Sequence, residues 1–555
     1  MILNGKLELE NKIKTCLYTA LTELAAQNGK QMPSDFDMEM EVPKDTSFGD
    51  LSTNTAMKLA KAFQMNPRAL AEELLSRAGD IPYVEESSVA GPGFINFRVS
   101  HRFLEEELAE ILVKREDYGT LILDEPKTVD VEFVSANPTG PLHIGNARGG
   151  AIGDVIANIF RKAGWNVTKE FYLNDAGNQV VKFGESLYAR FMQQDDPDYP
   201  MPENAYLGDD ITQQAKAFRE LNPGCEKWDR QELTEKMCAY SLEANIDNMH
   251  KVLSRYGIDY DVWFRESGLH EKGLINDAIA MLREHDAVYE KDGALWFRAT
   301  DYDCEKDEVL VRSNGIPTYY AADIAYHLNK LVTRGFDQSV NVWGADHHGH
   351  VHRLKMALKA CGLDPARLDI ILMQLVHLVR GNESVRLSKR RGDAVTLDEL
   401  LSEVPVDAVR YIFNTSTPNS HMEFDLDLAV KQSNDNPVFY VQYAHARICS
   451  ILRNIRYTDA KADYSLLTDK TETALLMKMT DFSQEVMKAL DEYDPSKITK
   501  YAFDLASLLH SFYNVCRVKN DDPALQNARL DLVTACGCVL RSALGILGVS
   551  APSEM

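Results

Sequence analysis

The stretch from Val129 to Leu173 leaves this chain few ways to fold. Val129-Asp130-Val131-Glu132-Phe133-Val134 has the texture of a strand, and Asn137-Pro138-Thr139-Gly140-Pro141 must be a loop, because proline disfavours helical backbone at the residue before it. Ile152, Val155, Ile156, Ile159 and Phe160 then recur at helical spacing up to Gly164, and Trp165 to Leu173 reads as the next strand. A β-loop-α-β unit of this kind implies a parallel sheet with a ligand site at the loop.

A second such texture comes much later. Val340 to Trp343 leads through Gly344-Ala345-Asp346 into a helix ending near Cys361, followed by the strand-like residues Ile370 to Val379. The two halves of the sheet are therefore far apart in sequence. Between them, about 183–298 carries the Pro- and Asp-rich run Asp195 to Pro200 and several amphipathic helical patterns, and reads as an insertion. Residues 1–117 mix helical patterns with a short strand, Gly93 to Phe97, and read as an α+β N-terminal domain. The α/β part, a Rossmann-like parallel-sheet domain, spans 118–400, and 401–434 link it onward. From 435 to 555 the periodicity is helical, with Tyr440, Tyr443, Ala444, Ile448, Ile451 and Leu452 on one face, which predicts an all-α bundle.

A length of 555 residues suits about three to four domains and excludes a lone small binding module. No uncharged apolar run reaches the roughly 18 residues of a membrane span; the nearest, Leu532 to Val549, carries Arg541. Glu8, Glu10, Lys12 and Lys14 stand where a signal peptide needs an apolar core, so the reading is a cytoplasmic protein with no membrane partner. The nine cysteines are scattered without a C-x-x-C framework, which fits a reducing compartment. With 84 acidic and 60 basic side chains the formal charge is -24, which argues against indiscriminate nucleic-acid binding but leaves room for a local basic patch.

Two segments can carry chemistry. Ser135 to Asn146 runs straight into a helix N-terminus, where unpaired N–H groups and the helix dipole suit nucleotide phosphates. His143 adds a donor there, and Gly145 lets a nucleotide approach closely. Taken alone, the pattern fits equally a Gly/Pro turn with a helix-capping histidine. Arg386-Leu387-Ser388-Lys389-Arg390-Arg391-Gly392 follows a glycine turn at Gly381 and can clamp a polyphosphate. By itself it fits a solvated basic loop just as well.

Together the segments resemble the H-x-G-H and K-M-S-K signatures of class I aminoacyl-tRNA synthetases, here His143-Ile144-Gly145-Asn146 and Arg386-Leu387-Ser388-Lys389. SANPTGPLHIGN, Asn174 to Gln179, PTYYAADIAYH, WGADHHGH and NPVFYVQYAHARI resemble the bacterial arginyl-tRNA synthetases, and the resemblance covers nearly the whole chain. Asn146 departs from the second histidine and Arg386 from the first lysine. Asn keeps a donor role but not a charged one.

The resemblance implies substrates ATP with Mg2+, L-arginine and tRNA-Arg, a class I catalytic fold and a helical domain that binds the anticodon. It implies catalysis by His143, Asn146, Arg386 and Lys389, and ATP binding by Pro138, His143, Gly145, Asn146, Ser388 and Lys389. It places Tyr319, Asp323 and Glu266 around the guanidinium, and Glu132, Ser135 and Asn137 at the amino acid's backbone groups. Charge chemistry agrees, since a guanidinium needs carboxylates and an aromatic face, and Tyr319 and Asp323 share one helical face four residues apart. For Asp323 helix capping, and for Glu132 an exposed strand position, remain the plain alternatives.

His348 and His352 stand at the i,i+4 spacing of zinc ligands, within His347, His348, His350 and His352. The neighbouring glycines and the place after a strand fit a substrate rim better, and no structural zinc is expected. Tyr440, Tyr443 and Tyr513 can stack on anticodon bases, with Arg447 and Arg517 near phosphates, or can be bundle core. The implied reaction is attack of arginine's carboxylate on the α-phosphorus of ATP, then transfer of the arginyl group to the tRNA's terminal ribose, the tRNA being normally required even for the first step. The chain is expected to act as a monomer. Another nucleotidyl transferase would not need the helical third, and a silent tRNA-binding relative would show Asn146 and Arg386 as first symptoms.

Overall fold

The computed structural model describes residues 4–33, 36–43, 45–381, 383–384 and 395–555. Its centre is a five-stranded parallel sheet of β1 (Thr128–Glu132), β2 (Asn166–Leu173), β3 (Val262–Arg265), β4 (Gln338–Gly344) and β5 (Leu368–Met373), in the spatial order β5-β4-β1-β2-β3. The chain winds outward from β1 in both directions, so β1 and β4 flank the switch point where such sheets open a crevice at their C-terminal ends. Glu132, at the end of β1, lies between Asn341 on β4 and Glu170 on β2.

A strand covered on both faces is normally apolar throughout, yet Asp130 and Glu132 alternate with Val129 and Val131 and all four are buried. Cations from behind the sheet offset the two carboxylates. Helix α4 (Tyr319–Leu328) runs on into a π turn, Asn329–Thr333, that delivers Lys330, and Arg334 follows directly, forming an ion pair with Glu170 at 2.5 Å. Helix α1 (Ile144–Lys162) crosses from β1 to β2 so tightly that a Cβ on Gly153 would sit 2.2 Å from the Phe133 ring.

The stretch of about 183–298 is not one insertion, because β3 belongs to the central sheet. Helices α2 (Asn178–Met192), Asp209–Leu221 and α3 (Arg230–Arg255) form an outlying body with its own core around Phe183, Phe191, Phe218 and Met237. The chain then returns as β3, whose four residues are too few for alternation to be legible. A separate antiparallel sheet, Val288–Lys291, Ala294–Phe297 and Glu308–Val311, leads into α4. The single strand expected over Ile370 to Val379 divides into β5 and Val376–Arg380, which pairs in a different sheet with Met422–Asp425. The break has a cause: the buried Arg148 of α1 takes the Gln374 carbonyl at 2.7 Å, and the Gln374 N–H turns away to Pro418. Helix α5 (His348–Ala360) joins β4 to β5.

Ahead of the sheet stand helix Gly5–Gln27 and an antiparallel three-stranded sheet of Leu51–Thr53, Phe94–Val99 and Val84–Ala90. Behind it stands the helical bundle, with α6 (Pro437–Asn454), α7 (Ser496–Val515) and α8 (Pro523–Leu547) its longest members. Helix α8 is apolar and long enough to cross a membrane, but 72% of its most apolar window is buried in the bundle. The buried Arg410 ties this bundle to the parallel-sheet domain, donating to the Leu547 carbonyl at the end of α8 and to the Tyr256 carbonyl at the end of α3 while pairing with Asp154 of α1.

Candidate active site

The chain leaves β1 through two residues with left-handed backbone, Val134 at φ 70° and Ser135 at φ 36°. A β-branched residue is strained there, and such a turn persists only when its surroundings fix it. Ser135 does so, its Oγ donating to Glu132 Oε1 at 2.8 Å and accepting the Tyr172 N–H at 3.1 Å. Glu132 Oε2 takes Lys330 Nζ at 2.8 Å and Asn341 Nδ2 at 2.9 Å. Burial alone would raise the Glu132 pKa; the adjacent Lys330 charge reverses this and holds it below the ordinary value. Asn341 spends its second hydrogen on His327 Nε2 at 2.9 Å, and His327 Nδ1 donates to the Asp323 carbonyl at 2.8 Å. Burial lowers the His327 pKa to about 4, so the ring stays uncharged in this network.

The loop then ends at the N-terminus of α1. His143 is the N-cap, its Nδ1 accepting the Gly145 N–H at 3.1 Å, while Asn146 Oδ1 accepts the His143 N–H at 3.0 Å. His143 Nε2 therefore carries the ring's hydrogen, and the amide nitrogen of Asn146 is the end left to donate. A side chain on Gly145 would begin 3.0 Å from His143 Cε1, so the glycine lets the ring fold back. Loss of water around the ring lowers the His143 pKa. Asn137, His143 and Asn146 line one cavity of about 770 Å³ together with Asn174, Tyr206, Thr396 and Glu399. Pro138 lies buried behind this wall, its carbonyl held by Asn245 of α3 at 2.8 Å.

Arg386, Ser388 and Lys389 lie outside the described residues. The chain resumes at Val395, whose carbonyl accepts the Ile144 N–H at 3.0 Å, and the Leu397 N–H reaches the Leu142 carbonyl at 2.7 Å. The return from the basic segment is thus stitched to the strand-like lead into α1.

Across the crevice, β2, β3 and α4 bring acids to one place. Glu266 follows β3 and is buried, its N–H bonded to the Leu173 carbonyl at 3.0 Å. Burial first, and then the charges of Asp323 and Asp175, raise its pKa to about 7. Asp175 is committed to Ser267, at 2.9 Å to the backbone N–H and 3.0 Å to Oγ. Tyr172 sits within the field of Glu266, Asp323, Glu132 and Asp175, and burial and these charges raise its pKa. Its ring lies parallel to Phe264 at 5.9 Å and 9°. Tyr319, 56% exposed, lays its hydroxyl over Gly177, 2.8 Å from where a Cβ would be. A cluster of carboxylates beside aromatic faces suits a planar cation with several donors.

Asp175, Tyr172 and Lys330 were not named as site residues, and His350 stood only within the histidine group read as a substrate rim. Asp175 left a signal, an acid two residues after a parallel strand. Of the histidines, His350 bonds Asp323 at 2.8 Å and His352 bonds the Asp303 carbonyl at 3.1 Å. In the bundle, Arg447 lies over both Tyr443 and Tyr513, at 5.4 and 4.6 Å, beside a cavity of about 560 Å³ that Arg453 and Met555 also line. Tyr440 turns inward against Phe503 and His510, and Arg517 is exposed, its carbonyl taken by Arg529.

Comparison with known proteins agrees along the whole chain. Residues 107–433 match the family model described as tRNA synthetases class I (R), catalytic domain; residues 11–99 match the arginyl tRNA synthetase N terminal domain, and 441–555 the DALR anticodon binding domain. The chain is 50% identical over 554 residues to an arginine–tRNA ligase of Caldanaerobacter subterraneus subsp. tengcongensis, covering 98% of this chain and 99% of the relative. It is 48% identical over 529 residues to an arginine–tRNA ligase of Heliobacterium modesticaldum, covering 93% of each. The Thermus thermophilus arginyl-tRNA synthetase structure superposes with a TM-score of 0.76 at 25% identity, covering 97% of this chain and 100% of that one. With this catalytic sheet, N-terminal domain and helical bundle, the chain belongs to the arginyl-tRNA synthetases, ligases of the class I aminoacyl-tRNA synthetase family.

Proposed function

We propose that the crevice at the C-terminal ends of β1, β2 and β4 performs both half-reactions of arginine–tRNA ligation. Arginine lies with its guanidinium against Asp323, Glu266 and Tyr319 and its backbone groups toward Ser135 and Asn137, with Glu132 acting from beneath through Ser135. The observation that carries this reading is the convergence of Glu266, Asp323 and Asp175 on Tyr172, whose N–H bonds Ser135 in the loop that leads to α1. ATP enters as its magnesium complex, the metal carried on the triphosphate. His143 Nε2–H and the free amide of Asn146 meet the phosphates at the helix N-terminus, where the positive end of the helix dipole favours anions.

Lys389 stands six residues before Val395, whose carbonyl accepts the Ile144 N–H at the start of α1. Arg386, Ser388 and Lys389 stabilise charge that grows on the phosphates as the arginine carboxylate attacks the α-phosphorus and pyrophosphate leaves. The terminal ribose hydroxyl of tRNA-Arg then takes the arginyl group, and AMP departs. Tyr443, Arg447 and Tyr513 take anticodon bases on the bundle, with Tyr440 supporting them from behind.

The same reading has the chain work as a monomer. Nine cysteines without a disulfide suit a reducing cytoplasm, and the apolar α8 is occupied as bundle core rather than by a membrane. ATP–pyrophosphate exchange and tRNA charging with each amino acid, with and without tRNA-Arg, test the reading. Arginine alone is expected to support both; exchange with another amino acid, or none with arginine and tRNA present, overturns it.

A further inference from the structure

The Asp323 carboxylate is held by a chain of side chains reaching away from the pocket. His350, on α5, bonds Asp323 Oδ2 through Nε2 at 2.8 Å. Its Nδ1 faces Arg353 Nη2 at 3.4 Å, and because a guanidinium only donates, Nδ1 is the acceptor and Nε2 carries the hydrogen given to Asp323. Arg353 is itself fixed, Nη1 donating to Glu308 Oε1 at 2.6 Å and Nε to the Gly349 carbonyl at 3.0 Å. The His350 ring lies nearly parallel to Trp343, with centroids 5.7 Å apart at 27°, and edge-on to Tyr320 at 5.8 Å.

We propose that His350 is a positioning residue for arginine: it fixes the Asp323 carboxylate in the orientation that meets the guanidinium. An aspartate in the first turns of a helix, with a third of its side chain exposed, otherwise samples several rotamers, and a forked donor must then freeze it on binding. His350 takes one lone pair of Oδ2 and leaves Oδ1 and the other lone pair for the ligand. It removes the ordering cost before arginine arrives, while Arg353 and Glu308 hold the imidazole in the required tautomer. This rests on the reading that Asp323 meets the guanidinium.

Two substitutions separate the hydrogen bond from the ring packing. His350→Phe keeps an aromatic ring on Trp343 and loses the donor; His350→Gln loses the ring and keeps an N–H. In steady-state charging of tRNA-Arg by the full-length enzyme, His350→Phe is expected to raise the arginine KM about tenfold, the scale of a hydrogen bond to a charged group, while kcat and the ATP KM change about twofold or less. His350→Gln is expected to restore most of that loss. The reverse order, with Gln impaired and Phe near the parent, assigns His350 to packing and overturns the proposal. Asp323→Asn tests the underlying reading: it is expected to raise the arginine KM by itself, and His350→Phe added to it should then cost about twofold or less, because the two act as one unit. A full tenfold loss on top of Asp323→Asn overturns the positioning role alone. An unchanged arginine KM in Asp323→Asn overturns the Asp323 reading and the proposal with it.

Discussion

Lys330 and Glu132 form an ion pair of 2.8 Å, Nζ to Oε2, across 198 positions of sequence, and the Lys330 side chain has no exposure to water. Lys330 also meets Asp130 Oδ2 at 2.8 Å, so one ammonium is shared by the two carboxylates that β1 carries beneath the crevice, and Arg334 stands 3.4 Å from Asp130 Oδ1 as a second cation. Burial by itself lowers the Lys330 pKa, and the combined pull of Asp130, Glu132 and Glu170 more than reverses that, so the charge is kept.

Lys330→Met leaves these carboxylates buried with too little positive charge, which is far costlier than removing both partners. The variant is expected to lose about 3–5 kcal/mol of unfolding free energy, read by urea denaturation. A change below about 1 kcal/mol would mean that Arg334 or water takes over the pairing.

Glu266 gives the site a pH dependence. With a pKa near 7 it is protonated below that value, and a neutral carboxyl cannot pair with the guanidinium. The arginine KM is therefore expected to fall as pH rises through 7, by up to about tenfold per unit on the acidic side, while the ATP KM follows a different profile. Glu266→Gln should flatten the arginine profile. The sign for stability is opposite: a carboxyl with a folded pKa raised above 4.5 binds its proton more tightly in the folded state, so its contribution to stability is lost as pH rises through 7 and Glu266→Gln should stabilise the free enzyme at pH 8. Parallel pH profiles for the variant and the parent would remove Glu266 from the arginine pocket.

Lys389→Ala should slow adenylate formation about 10²–10³-fold with little change in arginine binding, because its charge matters most when the phosphates gain charge in the transition state. Single-turnover rates with saturating arginine, ATP and tRNA measure this. Wild-type rates would assign the phosphate role to Arg386 or to the neighbouring arginines.

Tyr443→Ala and Arg447→Ala should raise the tRNA KM, about 1–3 kcal/mol being lost for each base that stacks on an aromatic side chain, and leave the arginine KM unchanged. Binding should weaken as salt rises, with a shallower slope for the Arg447 variant if it meets a phosphate. The control is the same tRNA altered in the anticodon. Should the parent charge both tRNAs equally well, the Tyr443–Arg447–Tyr513 face does not read the anticodon.

The sequence was most legible where function and local geometry share one segment. Proline and glycine fix the loop between β1 and α1, and His143 and Asn146 can be assigned there because an N-cap and its partner three residues later are local facts. Tyr319 and Asp323 could be placed on one helical face for the same reason, being one turn apart. His350 was not legible in this way: it stood in a group where His348 and His352 had the spacing of zinc ligands and the place after a strand suggested a substrate rim, whereas its bond is to Asp323, 27 positions away, on a different helix. The division of Ile370–Val379 was equally hidden, since Gln374 is turned by Arg148, 226 positions earlier.

What the sequence determined by itself was the order of parts: an α+β start, a split parallel sheet with a loop leading into a helix N-terminus, and a helical bundle, each written in periodicities that repeat every two or about four residues. Tertiary structure alone decided which buried charges meet. Asp130 and Glu132 look like the exposed face of an edge strand, because alternation reports only that one side of a strand is polar. Water or a cation can satisfy that side, and the choice falls to Lys330, delivered by a π turn nearly two hundred residues later. Hydrophobic pattern is set by neighbours in the chain, whereas the partner of a buried charge is set by neighbours in space.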